Sequence, residues 1–413
     1  MKLRRLHYGW VMVSIGATIL ATQALIFYTF GIFLRPITME FNWERGALSA
    51  ALSINSLVAG PLGILTGRLS DKYGPRILAT LSGILAGTGF LLYSQINSLW
   101  QVYLIWGLLI ATGGSCFFIP VMSTIPRWFV KKRGIAMGLT FTGFGLGAMI
   151  APPLAQWLIS TYTWRQAYII LGLVILIIVT PLAQFMKHSP QRMGLKPYGE
   201  DETIKLEQPL ALAVEGLSLK QAIKSGRFWL FGLILTCFFF FLQVITVHIV
   251  PHTVDIGISA AVAASILSIV AGGSTVGRLS IGFFSDRIGG RRALSACLAL
   301  AALALLWLLF AKEVWAFYLF AVLFGIAYGG VIPLQAILSA DLFGLKSLGV
   351  IFGTLMLFST VGGALGPPLA GSIFDVTGNY NLALTICVIV GTLAIILSLI
   401  LLRFKGAQYP ATK

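Results

Sequence analysis

The sequence has little charge. Of its 413 residues, 10% are Asp, Glu, Lys or Arg and 58% are hydrophobic, which gives a mean hydropathy of +0.92. Soluble globular domains carry about 25% charged residues, so this composition excludes an ordinary soluble protein and predicts an integral membrane protein. Among the charged residues, the acidic ones are the minority, with 13 Asp and Glu against 29 Lys and Arg. Because the basic residues lie in short loops between apolar segments, their surplus indicates membrane topology and argues against nucleic acid binding.

Cysteine is also rare. The four cysteines are far apart, and each lies inside an apolar segment: Cys116, Cys237, Cys297 and Cys387. This spacing matches neither a disulfide framework nor a metal site, so we expect no metal and no other cofactor. The glycine-rich run Gly272 to Arg278 lacks the lysine of a phosphate-binding loop and has no preceding strand. We therefore expect a protein that is not an enzyme and uses no nucleotide.

Twelve apolar segments divide the chain, and a bilayer-spanning helix takes about 20 residues. Six segments lie before a polar, proline-containing stretch and six lie after it. The two halves also repeat each other at one constant offset, which aligns Asp71 with Asp286 and Gly147 with Gly362. The sequence therefore predicts an all-α membrane protein of two six-helix bundles. The predicted boundaries are 1–186 and 227–413 for the bundles, with a cytoplasmic linker at 187–226.

The distribution of Lys and Arg predicts the topology. Most of them lie on the side that carries both termini and the linker, and cytoplasmic loops are enriched in these residues. We therefore expect a multi-pass protein with both termini in the cytoplasm. The short loops favour a bacterial inner membrane. We expect a monomer whose partners are a small substrate and the lipid bilayer.

Arg278 interrupts the eighth apolar segment. An arginine inside a spanning helix costs about 2.5 to 3.5 kcal/mol on insertion scales, so it normally faces a bundle interior or a wet cavity. One alternative is that Arg278 snorkels to the basic surface at the end of its helix. The small neighbours Gly272, Gly273 and Gly277 favour close helix packing instead. We interpret Arg278 as the anion-binding residue of a transport site.

Two related motifs follow the second and eighth segments. They read GRLSDKYGPR, from Gly67 to Arg76, and GFFSDRIGGRR, from Gly282 to Arg292. Each places an aspartate beside a tight glycine turn, with basic residues close enough to bond a carboxylate. One copy alone could be an ordinary positive-inside loop, but two copies resemble the cytoplasmic loop signature of the major facilitator superfamily. That resemblance covers the whole chain and implies the major facilitator fold. The predicted cytoplasmic gate consists of Asp71, Arg76, Asp286 and Arg292.

A finer resemblance lies in WFVKKRGIAMGLTFTGFGLG, from Trp128 to Gly147, and in the run Tyr8, Gly9, Trp10. Both are similar to signatures of the monocarboxylate transporter family. In that family and in the related bacterial oxalate and formate exchangers, an arginine of the eighth helix binds the substrate carboxylate, and Arg278 matches it. The resemblance therefore implies a small carboxylate as substrate.

The chain also departs from these relatives. Ser274 stands where many animal members have an aspartate, and the first segment, Val11 to Leu34, has no charge. The run Gly349 to Ile373 lacks the lysine of the oxalate exchangers. One fixed positive charge favours a monocarboxylate, such as lactate or pyruvate, over a dianion. We expect proton-coupled symport by alternating access. The alternatives are an organic-anion exchanger of the oxalate and formate type and a non-transporting sensor on the same fold.

The remaining candidate residues are polar or aromatic side chains of the inner segments. Tyr328 stands out because its hydroxyl could reach a hydroxy or keto group, although any single aromatic residue could instead face lipid or core. His248 is the candidate proton-coupling residue because histidine titrates near physiological pH. It could equally be a hydrogen-bonded structural histidine, with the proton shared by bound acid, water and Tyr328. The predicted substrate-binding residues are Arg278, Ser274, Tyr328, Tyr28, Phe117, Phe118 and Phe358.

Overall fold

The computed structural model describes residues 7–129, 132–199, 216–344 and 347–404. In this part of the chain, 12 helices are long and apolar enough to cross a membrane. The β-structure of the same ranges consists of two isolated bridges, which pair Phe129 with Tyr198 and Gly216 with Gly344. The predicted all-α fold with twelve spanning helices is confirmed, and the protein is a multi-pass membrane protein.

Twelve helices follow one another along the chain. Those of the first half are α1 (Tyr8–Phe41), α2 (Arg45–Tyr73), α3 (Pro75–Tyr93), the composite α4 (Leu99–Val102, the π-helical Tyr103–Ile110, and Ala111–Thr124), α5 (Arg133–Thr161) and α6 (Trp164–Gln184). Those of the second half are α7 (Gly226–Asp255), α8 (Ala260–Ile288), α9 (Gly290–Leu308), α10 (Val314–Phe343), α11 (Leu348–Thr377) and α12 (Asn381–Arg403). A short helix, Leu219–Ile223, precedes α7.

The two motifs continue the preceding helices as far as their glycine turns. Helix α2 continues to Tyr73 and α8 to Ile288, so a single glycine separates each of them from the next helix. These glycines have positive φ angles, +88° at Gly74 and +85° at Gly289. Glycine reaches this region without strain, and Pro75 is well suited to start α3. The predicted glycine turns therefore lie at Gly74 and Gly289, and the helices before them extend through most of each motif.

The contacts divide the chain into two compact units. The first holds Met1–Trp43 and Ala50–Leu206, and the second holds Glu44–Ser49 and Glu207–Lys413. The main division falls inside the predicted linker 187–226, of which 200–215 lie outside the described residues. The first turn of α2 belongs to the second unit, which the sequence did not predict.

The two units use the same helix pairings. Helix α1 packs along α5 and α3 along α6 in the first unit, and α7 packs along α11 and α9 along α12 in the second. The repeat extends to single contacts. A Cβ atom at Gly147 would overlap the Ala21 carbonyl, and one at the repeat position Gly362 would overlap the Thr236 carbonyl. Small residues let helix backbones approach closely in membranes, so these glycines fix the pairing in both units.

Candidate functional site

Arg278 reaches from α8 to α10. Its Nη2 atom donates a hydrogen bond to the hydroxyl of Tyr328, with 3.2 Å between nitrogen and oxygen. The guanidinium carbon lies 5.8 Å from the centre of the Tyr328 ring. Tyr328 is 4% exposed and lies near the middle of its helix, whereas Arg278 is half-buried. The arginine side chain is thus directed at a buried phenol between two helices.

Two glycines bring these residues together. Gly277 precedes Arg278, and a Cβ atom there would overlap the Ile326 carbonyl of α10. Gly329 follows Tyr328, and a Cβ atom there would overlap the Ser274 carbonyl of α8. Helices α8 and α10 therefore touch through their backbones beside both functional side chains. The small residues that the sequence marked around Arg278 serve this close packing.

Ser274 lies one turn before Arg278 on the same face of α8. Its side chain is 2% exposed, and its hydroxyl donates to the Ala271 carbonyl at 2.7 Å. The hydroxyl proton is therefore engaged within the helix, and the oxygen keeps a lone pair for a donor. Ser274 adds a neutral acceptor on the face of α8 that carries Arg278.

The four aromatic candidates have different surroundings. In the first unit, Phe117 is fully buried, and the Tyr28 ring lies 5.2 Å from that of Phe27 and 6.2 Å from that of Phe144. In the second unit, the Phe358 ring packs against Phe228 and Trp229, at 5.8 and 5.6 Å. The side chain of Phe118 lies outside the described residues. Each of these aromatic contacts lies within a single unit.

Gln335 was missed by the sequence analysis. It lies on α10 two turns after Tyr328 and on the same face, since residues seven apart nearly eclipse on a helix. The residue is 3% exposed, and its Nε2 atom is buried with no hydrogen-bond partner among the described residues. A buried amide without an acceptor is unfavourable by about 1 to 3 kcal/mol and calls for a ligand or water. The spacing from Tyr328 was the signal that could have revealed it.

The predicted cytoplasmic gate is described only in part. The side chains of Asp71 and Asp286 lie outside the described residues, and Arg292 is exposed. Arg76 donates from Nε to Gln184 Oε1 at 2.8 Å. The ion pair at the corresponding end of α9 is formed by Arg291 with Asp341, at 2.9 Å. Arg291 is the repeat counterpart of Arg76, so the internal repeat could have pointed to it as well as to Arg292.

His248 lies in a second polar cluster, at the end of α7. It is 2% exposed, and both ring nitrogens are engaged: Nδ1 with the Tyr380 hydroxyl at 3.0 Å and Nε2 with the Pro367 carbonyl at 2.8 Å. Tyr380 also accepts a hydrogen bond from Arg45 Nη1 at 2.9 Å. Burial raises the pKa of Tyr380 above its usual value, so its hydroxyl keeps its proton and can donate.

Arg45 links this cluster to the carboxylate of Asp255. Its guanidinium donates two hydrogen bonds to Asp255, from Nη1 to Oδ2 at 2.6 Å and from Nη2 to Oδ1 at 3.1 Å. It also lies 3.8 Å above the centre of the Phe374 ring. All these residues belong to the second unit. Within the described ranges, no group of three or more His, Cys, Asp and Glu side chains is placed to hold a metal ion.

Comparison with known proteins identifies relatives. A family model described as Major Facilitator Superfamily matches residues 16–255 and 244–412. Monocarboxylate transporter 13 of Rattus norvegicus is 30% identical over 379 residues, which cover 91% of this chain and 84% of that protein. Monocarboxylate transporter 11 of Mus musculus is 28% identical, over 92% of this chain and 84% of the relative. The uncharacterized MFS-type transporter YcxA of Bacillus subtilis is 26% identical over 90% of both chains.

Solved structures share the fold. A bacterial homologue of the human lysosomal transporter Spinster, in an inward-facing and occupied conformation, superposes with a TM-score of 0.77 at 15% identity, covering 96% of this chain and 97% of the other. A mutant form of the nucleoside transporter NupG gives a TM-score of 0.72 at 13% identity, covering 95% and 100% of the two chains. At these identities the likeness concerns the fold alone.

Proposed function

The chain belongs to the major facilitator superfamily and is related to the monocarboxylate transporters; from this premise we propose that it carries lactate, pyruvate or a similar small monocarboxylate by proton-coupled symport. The relatives and the fold are those of membrane transporters. Alternating access, in which two halves of the protein open in turn to either side, is the proposed mechanism.

The observation that carries this proposal is the Arg278–Tyr328 pair. A guanidinium inside a spanning helix keeps its charge and can grip a carboxylate through two parallel bonds. The Tyr328 hydroxyl beside it can bond a hydroxy or keto oxygen on the neighbouring carbon. Since a 2-hydroxy or 2-keto acid has both groups on adjacent carbons, the pair suits lactate and pyruvate. One cation balances one carboxylate, which favours a monoanion.

The other residues have subsidiary proposed roles. Ser274 would accept a hydrogen bond from a substrate hydroxyl, and the aromatic side chains Tyr28, Phe117, Phe118 and Phe358 would contact the apolar part of the acid during the cycle. His248 would take up the coupled proton. Asp71, Arg76, Asp286 and Arg292 would close the cytoplasmic side. We further propose a monomer in a bacterial inner membrane, with both termini in the cytoplasm.

Transport into proteoliposomes tests the function. We expect external acid to drive uptake of labelled lactate into vesicles that contain no substrate, and Arg278→Lys and Arg278→Gln to lower the initial rate at least tenfold. Lys312→Gln, which removes an exposed cation from a loop, is the matched control and should transport normally. Near-normal uptake by either Arg278 variant would refute the carboxylate role. Uptake that requires internal substrate and does not depend on the proton gradient would instead indicate an anion exchanger.

A further inference from the structure

Two carboxylates bind the first turn of α2. Asp255, the last residue of α7, holds the Arg45 guanidinium through the two bonds described above. Asp375 of α11 accepts hydrogen bonds from the backbone nitrogens of Arg45 and Gly46, at 2.9 and 2.7 Å. A carboxylate at a helix N-terminus satisfies free N–H groups and interacts favourably with the helix dipole. The attachment therefore uses both the side chain of Arg45 and the backbone of the helix.

A hydrogen-bond chain leads from this attachment to His248. Arg45 has only donors, so the Tyr380 oxygen accepts from it, and the Tyr380 proton is left to bond His248 Nδ1. The Pro367 carbonyl can only accept, so His248 Nε2 carries a proton. In this arrangement His248 is the neutral Nε2–H tautomer, and Nδ1 is the acceptor. A second proton at Nδ1 would have to displace the Tyr380 proton.

The surroundings oppose a charge on His248 in this state. The Tyr380 hydroxyl bonds both the Arg45 guanidinium and His248, so only this hydroxyl separates the Arg45 cation from the imidazole. The His248 residue is 2% exposed. The other ionisable groups of the cluster are His252, on the same helix as His248, and the carboxylates Asp255 and Asp375. Asp255 is engaged by the Arg45 guanidinium, and Asp375 by the backbone of α2. Neither carboxylate bonds the His248 ring, whose two nitrogens are taken by Tyr380 and Pro367.

The groups beyond Asp255 in this chain are buried. Asp255 is exposed, whereas Arg45, Tyr380 and His248 are 8%, 1% and 2% exposed. His248 precedes Asp255 by two helical turns, which places it about 10 Å deeper along α7. In the hydrogen-bond chain, Arg45 and Tyr380 thus lie between the exposed Asp255 and the histidine.

We propose that Arg45 and Tyr380 make proton uptake by His248 conditional on the release of the first turn of α2. While Asp255 and Asp375 hold that turn, the Tyr380 hydroxyl occupies Nδ1 and the histidine stays neutral. When Arg45 withdraws, the Tyr380 hydroxyl is free to rotate, and Nδ1 takes a proton from water while Nε2 keeps its bond to Pro367. A conformational change that detaches this first turn therefore also opens the proton site.

This inference rests on the proposed function and assigns positioning roles to Arg45 and Tyr380. The protonation state of His248 tests it without any transport measurement. The chain has four histidines, so ¹⁵N-histidine labelling of the purified full-length protein gives four ring systems. His248→Gln and His252→Gln assign the two signals of the cluster. We expect wild-type His248 to be the Nε2–H tautomer and to stay neutral from pH 8 to pH 5.

Arg45→Gln should make His248 titrate within that range. Tyr380→Phe, which keeps the ring and the Arg45–Asp255 pair, should shift the titration in the same direction. Arg165→Gln is the matched control, because Arg165 forms a similar ion pair with Glu40 at 2.7 Å in the first unit. It should leave the His248 signal unchanged. A wild-type His248 that titrates normally, or one that stays neutral in both the Arg45 and Tyr380 variants, would overturn the inference.

Transport measurements distinguish a failure of this inference from a failure of the proposed function. If Arg278→Gln abolishes lactate uptake but Tyr380→Phe leaves the pH profile of uptake unchanged, the inference fails and the function stands. We expect Tyr380→Phe to move the pH of half-maximal uptake upward by at least half a unit, with lactate exchange at equal pH retained. If Arg278→Gln transports normally, the proposed function fails, whereas the NMR result for His248 still decides the inference.

Discussion

Tyr328 on α10 accepts a hydrogen bond from Arg278 on α8, and the glycine beside each residue holds the two helix backbones in contact. The charged side chain and its phenol partner are therefore positioned by the same packing that joins the helices. This arrangement gives the site two directed groups on adjoining helices, a cation for a carboxylate and a hydroxyl for the neighbouring substituent.

Tyr328→Phe should reduce recognition of the substituent and spare recognition of the carboxylate. A hydrogen bond of this kind contributes about 1 kcal/mol, so we expect lactate and pyruvate uptake at limiting substrate to fall about fivefold. Propionate, which has the carboxylate but no hydroxy or keto group, is the control substrate and should lose little. Equal losses for lactate and propionate would show that Tyr328 acts only by holding Arg278.

Gly277→Ala and Gly329→Ala should each separate α8 from α10. The added methyl group meets backbone atoms, which cannot rotate away, so we expect a destabilisation of about 1 to 3 kcal/mol together with lower uptake. Thermal unfolding in detergent measures the stability. Gly353→Ala is the matched control, because among the described residues no atom of a neighbouring helix lies within 4 Å of the position of its Cβ. A normal melting temperature for both Gly277 and Gly329 variants would contradict the backbone contact.

Gln335→Leu should affect stability and transport in opposite directions. The substitution removes a buried amide donor that has no acceptor in the described structure, so the melting temperature should rise. Uptake of lactate should fall if the amide bonds substrate or its water during the cycle. Ser339→Ala, on the same helix, is the control, since its hydroxyl donates to the backbone carbonyl of Gln335 within the helix. A more stable Gln335→Leu protein with full transport would assign the amide no role in transport.

His248→Gln should flatten the pH dependence of uptake. Glutamine keeps hydrogen-bonding groups but takes up no proton, so the acceleration at low external pH should disappear. Exchange of lactate at equal pH on both sides needs no net proton movement and should persist. An unchanged pH profile would remove His248 from the coupling mechanism and leave the alternative in which bound acid, water and Tyr328 share the proton.

The sequence predicted features that depend on composition and repetition. The twelve spans follow from apolar run lengths, and the pairing of Gly147 with Gly362 in the repeat recurs as equivalent helix contacts. Arg278 was identifiable because one charge in an apolar helix is unfavourable by itself. Tyr328 was chosen for its hydroxyl, but its contact with Arg278 depends on the register of α8 against α10, which the sequence does not reveal.

The cluster around His248 could not be predicted. Arg45 stands at a helix start and resembles any other loop cation, and its partners Asp255, Asp375 and Tyr380 come from distant segments. Only the folded structure brings these groups together. The glycine turns of the two motifs were predicted, but the full length of α2 and α8 was not, since the last turns of these helices carry charged residues.

Binding measures the central claim most directly, because it requires neither a proton gradient nor a completed transport cycle. Labelled lactate should bind the purified wild-type protein saturably, and Arg278→Gln and Arg278→Lys should weaken binding at least tenfold with the melting temperature preserved. Lys312→Gln should bind as wild type. Undiminished lactate affinity in a folded Arg278→Gln protein would contradict the assignment of Arg278 as the carboxylate-binding residue.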